Sequence, residues 1–111
     1  VAYTGHISPK SITTKTIFLK DSAGKTRIGL FGRTGSVHAF DSAGKTRVGI
    51  FGKTGSVRAY DRAGTSRVSI GGGNGSIYLY DSARTSRVRL LGSTGRIAFK
   101  APGDTQLSYH P

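Results

Sequence analysis

The chain has 111 residues, 17 of them glycine, with no cysteine, methionine or tryptophan. Lys and Arg number 17 against 5 acids, all aspartate, which gives a net charge of +12. These numbers exclude a second ordinary domain, a disulfide framework or thiolate metal site, and a helix-rich fold built on Glu and Leu. No apolar run approaches the ~18 residues of a membrane-spanning helix, and no transmembrane segment is expected. Three prolines without a glycine at every third position exclude collagen.

Residues 1–20 come first and resemble a worn copy of the later blocks. Ile17, Phe18 and Leu19 stand where those blocks place an apolar run. This segment is expected to cap the array at its N-terminal end, with Pro9 blocking a passing strand. Four blocks of 20 residues occupy 21–100, starting at Asp21, Asp41, Asp61 and Asp81. The first two are identical at 15 of 20 positions. Constant in all four are the Asp at position 1, Ala at 3, Arg at 7, and Gly at 12 and 15. Residues 101–111 break the pattern with Ala101, Pro102 and Gly103, and are expected to form a C-terminal cap or tail.

Each block carries two strand signals. Arg47 to Phe51 alternates with β-branched residues at every second position, and Ser56 to Tyr60 alternates again. Between them lie two turn signals. Asp61-Arg62-Ala63-Gly64 has Asp first and Gly fourth, the preference of a type I turn. The other turn lies between the constant glycines: Gly32 and Gly35, Gly52 and Gly55, Gly72 and Gly75, Gly92 and Gly95. Arg84 replaces the glycine of the first turn in the fourth block, so strain is expected there if the position needs a positive φ.

The fold class is therefore all-β, in tandem two-strand repeats of 20 residues. The first architecture is a parallel β-solenoid, one coil per block, with equal positions stacked about 4.8 Å apart. Phe40, Tyr60 and Tyr80 would then form an aromatic ladder, and Thr26, Thr46, Ser66 and Ser86 a hydroxyl ladder. The alternatives are an antiparallel β-meander or small barrel, and an interlaced trimeric fibre. The Arg27, Arg47, Arg67, Arg87 series opposes stacking, because like charges side by side repel. The Asp series could offset this by running alongside.

Alternation assigns the faces. Val48, Ile50, Val57 and Ala59 point one way and are expected to form a thin core. Arg47, Gly49, Phe51, Arg58 and Tyr60 point the other way. Aromatic residues mixed with arginine either screen the sheet or mark an interface, where these types are enriched. The candidate interface or ligand face is Phe31, Phe40, Phe51, Arg58, Tyr60, Tyr78 and Tyr80.

Motifs that resemble catalytic chemistry lack their context. Ala-Gly-Lys-Thr at 23–26 and 43–46 has Leu19 and Ala39 where a phosphate loop needs its first glycine, and no helix comes after it. Gly71 to Gly75 lacks the βαβ unit of a dinucleotide fingerprint. His6, His38 and His110 are scattered, whereas a metal site clusters its ligands. The aspartates stand singly at turn starts, where they accept local backbone bonds. No catalytic residue, cofactor or metal ligand is expected, and no enzyme. The cationic excess sits at varying positions such as Lys25, Lys45, Lys53 and Arg58. That suits an anionic glycan or surface better than specific reading of a nucleic acid.

Arg-Val-x-Ile-x-Gly-x-Thr-Gly-x-Val over Arg47 to Val57, and Tyr60 to Gly71, resemble strand-turn repeats of phage tail fibres and bacterial surface fibre proteins. The resemblance covers residues 21–100. It implies a non-enzymatic, self-associating part of an extracellular or virion-surface fibre. The alternative is a lectin-like or polyanion-binding module.

Overall fold

A computed structural model describes residues 10–110; Pro9, His6 and the rest of residues 1–9 lie outside the described residues. Ten strands succeed one another: β1 (Thr16–Lys20), β2 (Thr26–Phe31), β3 (Ser36–Phe40), β4 (Thr46–Phe51), β5 (Ser56–Tyr60), β6 (Ser66–Gly71), β7 (Ser76–Tyr80), β8 (Ser86–Leu91), β9 (Arg96–Phe99) and β10 (Ser108–His110). They lie side by side in chain order in a single sheet. Every neighbouring pair is antiparallel.

The all-β array of two-strand repeats is thus present, and its pairing is that of the meander. Each block adds one hairpin to an open sheet that does not close into a barrel. The parallel stacking of equal positions gives way to a spacing of two strands. Near-identical blocks satisfy either arrangement, because equal positions have equal surroundings in both. The ladders expected of parallel coils are consequently not formed: Phe40 pairs with Thr46 and Tyr60 with Ser66, not with each other.

The two turns of the repeat occupy opposite rims. On one rim, Asp21 to Gly24 forms a turn closed by the Gly24 amide donating to the Asp21 carbonyl at 3.0 Å. The Asp21 amide then donates to the Lys25 carbonyl at 2.9 Å. This is a three-residue hairpin with its last residue left-handed, at φ 81° for Gly24. Asp41 and Asp61 repeat it. Asp81 does too, but Arg84 holds the left-handed place at φ 66°. The expected strain is there, and a non-glycine residue in this region costs roughly 1–2 kcal/mol. Arg84→Gly should therefore raise the melting midpoint by several degrees. A circular-dichroism melt checks it, and an unchanged or lower midpoint would contradict it.

On the other rim, the second constant glycine is left-handed: φ is 64° at Gly35, 66° at Gly55, 65° at Gly75 and 65° at Gly95. The first constant glycine serves a different need. The Gly52 amide donates to the Gly35 carbonyl at 2.9 Å, and a Cβ on Gly52 would lie 2.5 Å from that oxygen. Gly72 and Gly92 make the same approach to Gly55 and Gly75. Gly32 approaches the Lys15 carbonyl in the same way.

The constant arginine occupies a β-bulge. Ala39 opposes Val48 and Phe40 opposes Thr46, so Arg47 is the extra residue. The same shift recurs beside Arg27, Arg67 and Arg87.

The expected core is where the sequence reading needs its main correction. Each of β1 to β9 places two apolar side chains on one face: Ile17/Leu19, Ile28/Leu30, Val37/Ala39, Val48/Ile50, Val57/Ala59, Val68/Ile70, Ile77/Leu79, Val88/Leu90 and Ile97/Phe99. They face one another across the strands without a polar interruption. Yet no described residue covers them: Val48 is 41 % and Ile50 46 % exposed. Among the described residues the only fully buried hydrophobic side chain is Ala98. The chain exposes 8201 Å², where a compact protein of this mass exposes about 5,900 Å². Its radius of gyration is 18.2 Å, against about 13 Å for a compact domain of this length. A single sheet has two faces and no second layer, so alternation supplied the faces without supplying a core.

Candidate interaction faces

The face opposite the aliphatic one gathers all the residues that the sequence marks as an interface. Strand register arranges Phe31, Phe51, Arg58 and Tyr78 in two rows, while Phe40, Tyr60 and Tyr80 stand nearer the aspartate rim opposite Thr46, Ser66 and Ser86. One runs Phe31, Ser36, Phe51, Ser56, Gly71, Ser76 across β2 to β7. The other runs Phe18, Gly29, His38, Gly49, Arg58, Ser69, Tyr78, Arg89. Large and small residues alternate along the first row from Phe31 to Ser56 and along the second from Phe18 to Tyr78, so the rings there have small neighbours across the strands. The Phe31 and Phe51 rings lean over Gly29 and Gly49, where an added Cβ would come within 2.7 and 2.5 Å of the ring atoms. Both glycines are buried beneath them. Ser36, Ser56 and Ser76 are buried as well. Ser36 and Ser56 pair with Thr34 and Thr54 hydroxyls at 2.7 Å, and the Ser76 hydroxyl donates to the Asn74 side-chain oxygen at 2.6 Å.

Aromatic contacts run both between neighbouring strands and along single ones. His38 stands edge-on to Phe31 at 5.2 Å and to Phe51 at 5.5 Å, and stacks on Phe40 at 6.0 Å. The Arg58 guanidinium lies 5.8 Å from the Phe51 ring centre. Arg89 lies 5.0 Å from that of Tyr78, which stands edge-on to Tyr80 at 6.2 Å. Phe31, His38, Phe51, Lys53 and Arg58 line an open cleft of about 560 Å³. Tyr60 lines two neighbouring hollows, one with Arg58 and Tyr80 and one with His38 and Phe51. The set expected from sequence therefore shares one face but not one hollow, and Phe40 lines another beside Lys25. Sequence reasoning missed His38 and Arg89. The signal was available for His38: it holds the block position that Arg58 and Tyr78 hold in the next two repeats.

The rim of aspartates is electrostatically self-contained. The Asp41 side chain accepts from the amides of Ala43 at 2.9 Å and Lys45 at 3.0 Å. Its second oxygen lies 3.7 Å from the Arg47 guanidinium. Arg47 Nε in turn donates to the Tyr60 carbonyl at 2.9 Å. Each constant arginine thus joins its own turn to the end of the next strand. Arg27 reaches Phe40, Arg67 reaches Tyr80, and Arg87 reaches Lys100 and Ala101. Lys25 and Lys45 tie adjacent turns by donating to the Ser42 and Arg62 carbonyls, both at 2.9 Å. The like-charge objection to an ordered arginine series disappears, because an aspartate accompanies every arginine and equal positions are two strands apart.

Backbone donation from Lys25, Lys45, Thr65 and Thr85 holds the carboxyls of Asp21, Asp41, Asp61 and Asp81 below their ordinary value of 3.8; the arginines add to the effect. A carboxyl with a lowered folded value stabilises the fold above its unfolded value of about 3.9. That contribution is lost as pH falls through the lower folded value. The melting midpoint should therefore be level from pH 7 to pH 5 as far as these groups are concerned, and fall below pH 4. Asp41→Asn keeps an acceptor for the two amides, whereas Asp41→Ala removes it. The alanine variant should melt lower than the asparagine variant at pH 7. Equal midpoints would show that the turn bonds contribute nothing.

Among the described residues no three His or Asp side chains group as a metal site, and no helix is long and apolar enough to cross a membrane. No protein-family model matches this chain, and no curated protein matches it.

Proposed function

We propose that this chain is a non-enzymatic structural repeat protein that builds or decorates a β fibre, on the outside of a cell or a virion, by self-association. The observation that carries this reading is the uncovered aliphatic face. A monomer that leaves so long an apolar strip in water is expected to associate, because contiguous apolar patches of more than a few hundred Å² mark interaction surfaces. The aromatic face supports a secondary contact, since its Phe31 and Phe51 rings already cover Gly29 and Gly49. The repeat suits a structural role: each hairpin extends the sheet by the same step, and the rim bonds stitch every block to the next. The resemblance to tail-fibre and surface-fibre repeats agrees with an extracellular or virion location. Negative-stain microscopy together with size-exclusion light scattering tests it. Oligomers or filaments are expected, and a monodisperse monomer at high concentration would overturn it.

A second reading, a lectin-like or polyanion-binding module, has its own support. No cation occupies the aliphatic positions of β1 to β9, so the +12 charge lies on the aromatic face and the rims. Lys53 and Arg58 border the cleft beside Phe31 and Phe51. Heparin retention at low salt that vanishes at high salt would favour this reading. Failure to bind at low salt would remove it.

A further inference from the structure

We infer that the aliphatic face is the seat of a second copy of this chain, the two sheets packing face to face with their aromatic-arginine faces outward. The inference rests on the self-association reading and names the surface through which it begins. Three observations carry it.

The first is area. Nine strands at about 4.8 Å spacing, each about five residues long at about 3.3 Å, make a strip of about 40 by 16 Å. Two such strips laid together bury on the order of 1,300 Å² in projection, within the standard range of about 1,200–2,000 Å² for specific interfaces.

The second is charge. All 17 Lys and Arg residues lie elsewhere than on the aliphatic positions. Sheets pack about 10 Å apart, so cations on the two outer faces stand about 20 Å apart. That exceeds the screening length of about 8 Å at physiological salt. A chain of +12 can thus pair with itself through this face without setting cations against each other inside the interface, the rim cations standing at its margins.

The third is extent and shape. The strip offers the same kind of side chain along its length, so one patch can serve both partners of a two-fold pair. It stops at β10, where Ser108 and His110 oppose Phe99 and Ile97. The His110 ring stands edge-on to Phe99 at 5.5 Å, which puts a polar group at the end of the apolar strip.

Small-angle X-ray scattering of the unmodified chain, alongside Ile70→Lys, tests the inference. Ile70 is 41 % exposed near the middle of the strip, so lysine there leaves the single sheet intact. Face-to-face pairing gives a particle that keeps the 54 Å long dimension and is about 10 Å thicker than one sheet. Ile70→Lys should return it to single-sheet thickness. A particle that lengthens without thickening would overturn the inference and leave self-association standing. A particle of single-chain mass and thickness would overturn both. Association of a monomeric chain with neutral lipid vesicles, without pairing in their absence, would also overturn it.

Discussion

Gly52→Ala should destabilise the fold by on the order of 2–3 kcal/mol, the range of an overpacked site, and lower the melting midpoint by about ten degrees or more. The reason is local and unusual. Gly52 has no positive φ, so its backbone accepts alanine. Its missing Cβ is what matters, because that atom would sit 2.5 Å from the Gly35 carbonyl oxygen, which is backbone and cannot turn aside. Relief requires the two turns to part, and parting breaks the bond from the Gly52 amide to the Gly35 carbonyl. Gly73, one step along the corresponding turn of the next block, provides the contrast. A Cβ there meets nothing within 4 Å, and its φ is not positive. Gly73→Ala should be neutral or stabilise by a few tenths of a kcal/mol through the unfolded chain. Denaturant melts of the two variants check the argument, and equal midpoints would contradict it.

Ile50→Lys combined with Ile70→Lys should weaken self-association at least 100-fold while preserving strand content. The two residues are 46 % and 41 % exposed and lie on strands separated by β5, so the lysines do not oppose each other within one sheet. In the single sheet their ammonium groups stay in water. In a packed pair they would be buried without a counter-ion, at the centre of an interface where single losses exceed about 2 kcal/mol. Ser69→Lys sits on β6 beside Ile70 but on the opposite face, across from Arg58 and Tyr78. It should leave association unchanged. Sedimentation velocity over a concentration series separates these outcomes. Equal weakening by Ser69→Lys and the double variant would point to net charge as the cause.

The turns were legible in the sequence because their chemistry is local. An aspartate that accepts from amides two and four residues on, and a glycine that supplies a left-handed residue, act within five residues of themselves. Arg84 could be singled out on the same ground. The two strands of each block and the face assignment came from alternation, which also acts locally, whereas β10 (Ser108–His110) lies past the last block and was not expected. Strand direction did not. Parallel and antiparallel arrays both place repeated residues in repeated surroundings, and the choice rests on hydrogen bonds between segments that sequence identity cannot distinguish. The bulge at Arg27, Arg47, Arg67 and Arg87 was hidden for the same reason. Its residue sits within a run that alternates normally, and only the partner strand reveals that it is extra.

The candidate face was legible in part. Phe31, Phe40, Phe51, Arg58, Tyr60, Tyr78 and Tyr80 do share one side of the sheet, as alternation required. The contact of Arg58 with Phe51 was not legible, because it depends on which strands adjoin. His38 and Arg89 join the set through cross-strand neighbours, and the rings spend much of their surface on Gly29 and Gly49. The aliphatic side carried the opposite lesson. Val48, Ile50, Val57 and Ala59 have the composition of a core, and composition says nothing about what lies above them.

Light-scattering mass across a concentration series tests the central claim most directly. With the aliphatic face seated on a second copy, the mass should be twice 11.7 kDa, or a higher even multiple, and should fall to a single chain in Ile50→Lys/Ile70→Lys. A mass of 11.7 kDa for the unmodified chain at every concentration would contradict it.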